Sequence, residues 1–168
     1  MNMVKLAILL AGTAVFLLLP GCATSPEAEA RRQAMEADID EILTYELDPA
    51  EYGVVRNCLG EHEYRNFRPL GDRHILFDGR RGKQWINVLR GRCNDLRHGD
   101  VLVVKLTVGS RMCDMDRFQV AEWFDYPWYR RAPWTWGSWG LGAPCSLGKF
   151  HPVTEQQVAE IESVLKSR

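Results

Sequence analysis

The sequence predicts an α+β domain, mainly β: a small antiparallel sheet closing toward a barrel, with an N-terminal and a C-terminal helix packed outside. Three observations predict it. Stretches rich in β-branched and aromatic residues recur between Arg73 and Phe150, separated by turns that contain Gly and Asp. Apolar residues repeat at helical spacing both before and after that region. The last repeat opens on Thr154 and Gln157, the spacing of a capping box.

Taken in order, residues 1–21 read as a lipoprotein signal peptide. Lys5 is a minimal basic n-region, Leu6 to Leu19 an apolar h-region, and Gly21 the small residue before a cut. A membrane-spanning helix needs about 20 apolar residues, and this run breaks at Pro20-Gly21. Leu17-Leu18-Leu19-Pro20-Gly21-Cys22 resembles the bacterial lipobox, in which a cysteine becomes the first mature residue and carries acyl chains such as palmitate. That resemblance implies lipidation at Cys22. Ala23 in place of Asp implies sorting to the outer membrane, on its periplasmic face. Two or more acyl chains give stable attachment, so the membrane is a partner through the N-terminal lipid.

Residues 22–52 read as a lipidated tether followed by an acidic helix. Ser25 can cap it and Pro26 suits the first turn. Met35, Ile39, Ile42, Leu43 and Leu47 share one face, and Pro49 stops the helix. Segment 26–52 sets two arginines against nine acids, whereas segment 53–99 sets ten Lys/Arg against five acids. Mutual neutralisation on docking is one account of this contrast. A basic face toward lipopolysaccharide phosphates or another anionic envelope polymer is the other. The whole chain carries a net charge of −1, and loss of Lys5 with the leader makes it −2.

Residues 53–168 read as the β-rich domain. Arg73–Phe77 and Lys83–Leu89 are strand formers around Asp78-Gly79-Arg80-Arg81-Gly82, where the glycines supply positive φ: a β-hairpin. Gly99-Asp100 turns into a strand over Val101–Val108, with Leu102, Val104, Leu106 and Val108 on one face. A further strand is expected over Arg117–Trp123, with Phe118 and Val120 inward, and a short one over Cys145–Phe150. Val153 can staple onto Val158, and Val158, Ile161, Val164 and Leu165 form the buried stripe of the last helix.

The chain has five cysteines. With Cys22 assigned to lipid, Cys58, Cys93, Cys113 and Cys145 remain, enough for two disulfides in an oxidising compartment. Three pairings are open. The expectation is Cys58–Cys93, tying the start of the sheet to the end of the hairpin, and Cys113–Cys145, closing the aromatic loop at its base.

Gly71-Asp72-Arg73-His74-Ile75-Leu76-Phe77, then Leu89 with Arg92-Cys93-Asn94-Asp95-Leu96, then Cys113, then Cys145-Ser146-Leu147-Gly148-Lys149-Phe150, are distinctive as a set. Over roughly Asn57 to Val153 the chain resembles a family of proteobacterial envelope lipoproteins catalogued as domain of unknown function 6491. The resemblance implies a small exported domain and carries over no catalytic residue.

Motifs for chemistry are few. His62-Glu63 lacks the second histidine of a zincin. Asp114-Met115-Asp116 sits without a nucleotide-binding unit and reads as a solvated turn. His62, His74, His98 and His151 have no ligand spacing, and His74 reads as a sheet residue. Gly137-Ser138-Trp139-Gly140 lacks the nucleophile-elbow spacing. No catalytic residue, metal site, cofactor or nucleic-acid partner is expected.

The exception is the aromatic loop 123–142. It mixes Trp123, Phe124, Tyr126, Trp128, Tyr129, Trp134, Trp136 and Trp139 with Pro, Gly, Arg130 and Arg131, and has no helical or strand period. Trp128, Trp134, Trp136, Trp139, Arg130 and Arg131 are the candidate binding residues, since flat rings beside arginines can stack on sugars or anchor a protein. The competing reading is a secondary core folded over the sheet. The expectation is therefore a non-enzymatic envelope component that binds a glycan, lipopolysaccharide or a protein. Alternatives are an enzyme on an envelope glycan, which needs paired carboxylates in a cleft, and an adaptor that holds a protein partner through the aromatic loop.

Overall fold

The computed structural model describes residues 25–96, 101–121 and 142–167. The chain divides into two compact units, Met1–Glu36 and Ala37–Arg168. Helix α1 (Pro26–Thr44) runs across the division. Its start is capped as expected: Ser25 Oγ accepts from Ala28 N at 3.2 Å. It stops at Thr44, ahead of Pro49. Asp48 turns the chain there, its carboxylate accepting from Ala50 N and its carbonyl from Tyr52 N.

The second unit holds nine strands and a helix among its described residues: β1 (Cys58–Gly60), β2 (Tyr64–Pro69), β3 (His74–Gly79), β4 (Gln84–Val88), β5 (Val101–Lys105), β6 (Arg111–Cys113), β7 (Arg117–Ala121), β8 (Cys145–Ser146), β9 (Phe150–Val153) and α2 (Glu155–Lys166). They form three antiparallel sheets, of order β2-β3-β4-β9, β5-β7-β8 and β1-β6. None of these sheets is closed into a barrel, contrary to the expectation. Strands of two to six residues are too short to tilt around a closed ladder. Instead they stack as separate sheets.

Alternation explains the layering. On one face of the large sheet, Ile75, Phe77, Trp85 and Phe150 join Leu59, Met112, Phe118, Val120, Cys145 and Leu147 from the small sheets and their connections in one core. The other face carries Arg68, His74, Leu76, Ile86 and His151 in register. Arg68 on that face pairs with Glu162 of α2, so α2 lies on this side. The capping box forms as expected, with Thr154 and Gln157 satisfying each other's backbone amides. Gln157 Nε2 also donates to Ile42 O at 3.0 Å, fixing the end of α1 to the start of α2.

The β3–β4 hairpin forms where the sequence placed it. Two strand expectations and one turn need correction. The strand over Val101–Val108 ends at Lys105, and Leu106 and Val108 are exposed. Thr107 is drawn away from the ladder: both its amide and its hydroxyl donate to Asp116. Asp116 itself is fully buried and also accepts from Cys113 N at 2.8 Å, so it is a buried staple and not part of a solvated turn. The single strand over Cys145–Phe150 is two strands in different sheets. Between them the Gly148 backbone lies so close to β4 that a Cβ would fall 1.9 Å from Val88 O. The buried Asn87 amide holds it there, donating to Gly148 O (2.7 Å) and accepting from Gly148 N (3.0 Å).

The disulfides are Cys58–Cys113 and Cys93–Cys145. This corrects the expected Cys58–Cys93 and Cys113–Cys145. Cys58 on β1 lies directly opposite Cys113 on β6. Asp114 N donates to Asn57 O just beyond them, which makes them a non-hydrogen-bonded pair, where side chains approach most closely.

Candidate functional site

The base of the aromatic segment is well defined. The chain leaves β7 at Ala121, and on its return Gly142 N donates to Val120 O at 2.8 Å. Gln119 Nε2 donates to Gly142 O (3.0 Å), and Ala143 N donates to the Asp95 carboxylate (3.0 Å). Cys145, bonded to Cys93, begins β8 directly afterwards. The described ends of the segment, Ala121 and Gly142, are thus brought together by these bonds, and Cys145 just beyond them is held by Cys93 and not by the expected Cys113. The candidate binding residues Trp128, Trp134, Trp136, Trp139, Arg130 and Arg131 lie outside the described residues, as do Cys22, the leader and His98.

A second feature was not singled out from the sequence. Around the β3–β4 turn lies a groove of about 510 Å³ lined by Tyr52, Val54, Arg56, Glu63, Arg80, Arg81, Lys83 and Trp85. Its floor is built by Arg56, whose guanidinium bonds Glu63 at 2.6 Å and lies 4.7 Å over the Trp85 ring. Glu63 is fixed further by Gly60 N at 2.6 Å. Burial pushes the Glu63 carboxyl up, but the Gly60 amide, the Arg56 guanidinium and the charge of Arg111 together hold it below the ordinary glutamate value. The rim is the turn itself. Arg81 (φ 61°) and Gly82 (φ 74°) both have positive φ, and Lys83 N donates to Arg80 O, a tight turn inside the three-residue loop 80–82 that the register leaves between β3 and β4. Arg80 N donates back to Glu63 O at 3.3 Å, tying rim to floor. Gly79 is not needed for positive φ, as the sequence had implied. It is needed because the Trp85 ring lies against it, where a Cβ would come within 2.3 Å. The sequence signal for this groove was the Arg80-Arg81-Gly82-Lys83 run. Its other half comes from the segment before β1 and the β1–β2 turn, which only tertiary structure brings near.

The helix-side face holds the buried histidine. His74 is a sheet residue, as expected, and burial, with Arg73 alongside, pushes it down to about 4 against the opposing pull of Asp40 and Asp72. Burial also lowers His151, again against Asp40, and its Nδ1 has no hydrogen-bond partner among the described residues. No group of three His, Cys, Asp or Glu residues is arranged to hold a metal ion among the described residues. No described helix is long and apolar enough to cross a membrane.

Fold and site together define a disulfide-stapled α+β domain of stacked antiparallel sheets with a helix on one side. The chain belongs to the family of unknown function DUF6491, whose model matches residues 4–162. That span exceeds the stretch from Asn57 to Val153 on which the resemblance rested, and it takes in the aromatic segment. No curated protein and no solved structure matches the chain.

Proposed function

We propose that this protein is a non-enzymatic, lipid-anchored component of a bacterial envelope, held on the periplasmic face of the outer membrane, that binds an envelope glycan or protein through residues 123–142. The cysteine ledger carries the reading. Four cysteines pair off into two disulfides, a chemistry of oxidising compartments. The fifth, Cys22, is the one that follows Leu19-Pro20-Gly21. The pinned base at Val120, Gly142 and Cys145 supports the binding half, since a segment with fixed ends loses less freedom when it meets a ligand.

The test has two stages. Cys22→Ser is expected to leave a precursor that takes up no labelled palmitate and stays out of the outer-membrane fraction; normal labelling of the variant sinks the anchor. With the lipidated protein, peptidoglycan or lipopolysaccharide fragments are expected to quench tryptophan emission, and a protein partner to give cross-links within 123–142. Neither response, together with a loss of about 3–5 kcal/mol for Trp134→Ala and for Trp136→Ala, makes the rings a core and ends the binding proposal.

A further inference from the structure

We infer that the groove at the β3–β4 turn is a binding site for a phosphoryl dianion, held by Arg80, Arg81 and Lys83. The inference rests on none of residues 123–142 and does not depend on what they bind. Four cations line the groove against one carboxylate, Glu63, and that carboxylate is already taken by Arg56 and Gly60 N. The rim cations Arg80, Arg81 and Lys83 are exposed and have no ion pair among the described residues, whereas Arg68, Arg90 and Arg92 each hold an acid. The local excess is three positive charges, which matches a multiply charged anion better than a single carboxylate.

The geometry favours a tetrahedral oxyanion. Two guanidinium forks and one ammonium belong to one tight turn, at positions 80, 81 and 83, and forks of this kind bond pairs of phosphate oxygens. The turn is pre-organised. Its backbone bonds from Gly79 N to Lys83 O and from Arg80 N to Glu63 O fix it to both β3 and the groove floor, so little order has to be gained on binding. An arginine occupies the first left-handed position, where Asn, Asp or Gly is the favoured residue. The fold tolerates that conformational cost at the point where a fork is useful. Tyr52 and Val54 also line the groove, which gives an organic carrier such as a sugar ring a surface beside the phosphoryl group. The volume falls in the range of small-ligand sites.

The experiment is calorimetric titration of the full chain, purified in zwitterionic detergent, with inorganic phosphate, glucosamine 1-phosphate and glucosamine. Phosphate-bearing ligands are expected to bind, more weakly as salt is raised, and glucosamine to give no heat. Tighter binding of glucosamine 1-phosphate than of inorganic phosphate assigns the natural ligand to a phosphorylated sugar; the reverse order assigns it to the free anion. Arg81→Gly with Lys83→Gln is expected to weaken binding about tenfold or more. Glycine suits the left-handed backbone at position 81, so the turn is retained, and an unchanged Tm verifies this. Arg80→Gln alone is expected to weaken binding in the same direction. Lys149→Gln, an exposed cation between β8 and β9, is the control expected to leave binding intact. Absence of phosphate binding by the unaltered chain overturns the inference, and so does equal affinity in the rim variants or equal loss in the control.

Discussion

The two faces of the four-stranded sheet obey different chemistry. The face toward the small sheets is hydrocarbon, with Ile75, Phe77, Trp85 and Phe150 interlocked through edge contacts such as Phe77–Phe150 at 5.5 Å between centroids. Its one polar intruder, Asn87, spends its amide on Gly148. The face toward α2 carries Arg68, His74 and His151. Both faces are covered, yet the histidines of the sheet lie only on the second. Stability of the first should follow packing and covalent linkage; stability of the second should follow pH.

The largest expected effect lies on the hydrocarbon side. Both disulfides join elements of that core across separations of 55 and 52 residues. Replacing either pair by Ser is expected to cost about 4 kcal/mol through the freed unfolded chain. Urea unfolding of the Cys58→Ser/Cys113→Ser and Cys93→Ser/Cys145→Ser variants reads it, and a loss under 1 kcal/mol in both would mean that the core needs no staple.

Next in size is the pH response of the other face. Above about pH 6.5 the His74 ring is neutral in both folded and unfolded chains and contributes no slope. As pH falls, the unfolded chain takes up a proton that the folded chain refuses until about pH 4. Stability is therefore lost across that window, by about 3 kcal/mol at its acid end. His151, also lowered by burial, acts in the same direction. His74→Gln is expected to flatten the profile of unfolding midpoint against pH between 6.5 and 4; an unchanged slope would remove His74 as its source.

The smallest effect sharpens the comparison at the helix side. Gln157 serves both the cap of α2 and the Ile42 carbonyl. Gln157→Ala is expected to lower stability by about 1–2 kcal/mol, measured as a shift in urea midpoint. A negligible shift would show that the two helix ends meet without this bond.

Local signals were legible in the sequence and long-range ones were not. The capping box at Thr154 and the hairpin around Gly82 are written within a few residues, and both formed. The alternation Leu102-Val104-Leu106-Val108 was misleading, because a period of two says nothing about where pairing stops. Asp116, remote in pattern from that strand, ends it by taking Thr107. The disulfide pairing depended on β1 lying beside β6, a register set by the stacking of whole sheets and not by any spacing between cysteines. The basic groove was half visible as a run of cations; Arg56, Glu63 and Trp85, which give it a floor, reach it only through tertiary structure.

The hydrogen bond from Gly142 to Val120 makes the domain a host for foreign sequence. A stretch that begins and ends at one clasped point can be lengthened, shortened or exchanged with little disturbance to the body beneath. The entropic cost of closing a loop grows only logarithmically, about 0.6 kcal/mol for each doubling. The clasp makes this position a natural graft site for peptides to be displayed from the folded domain.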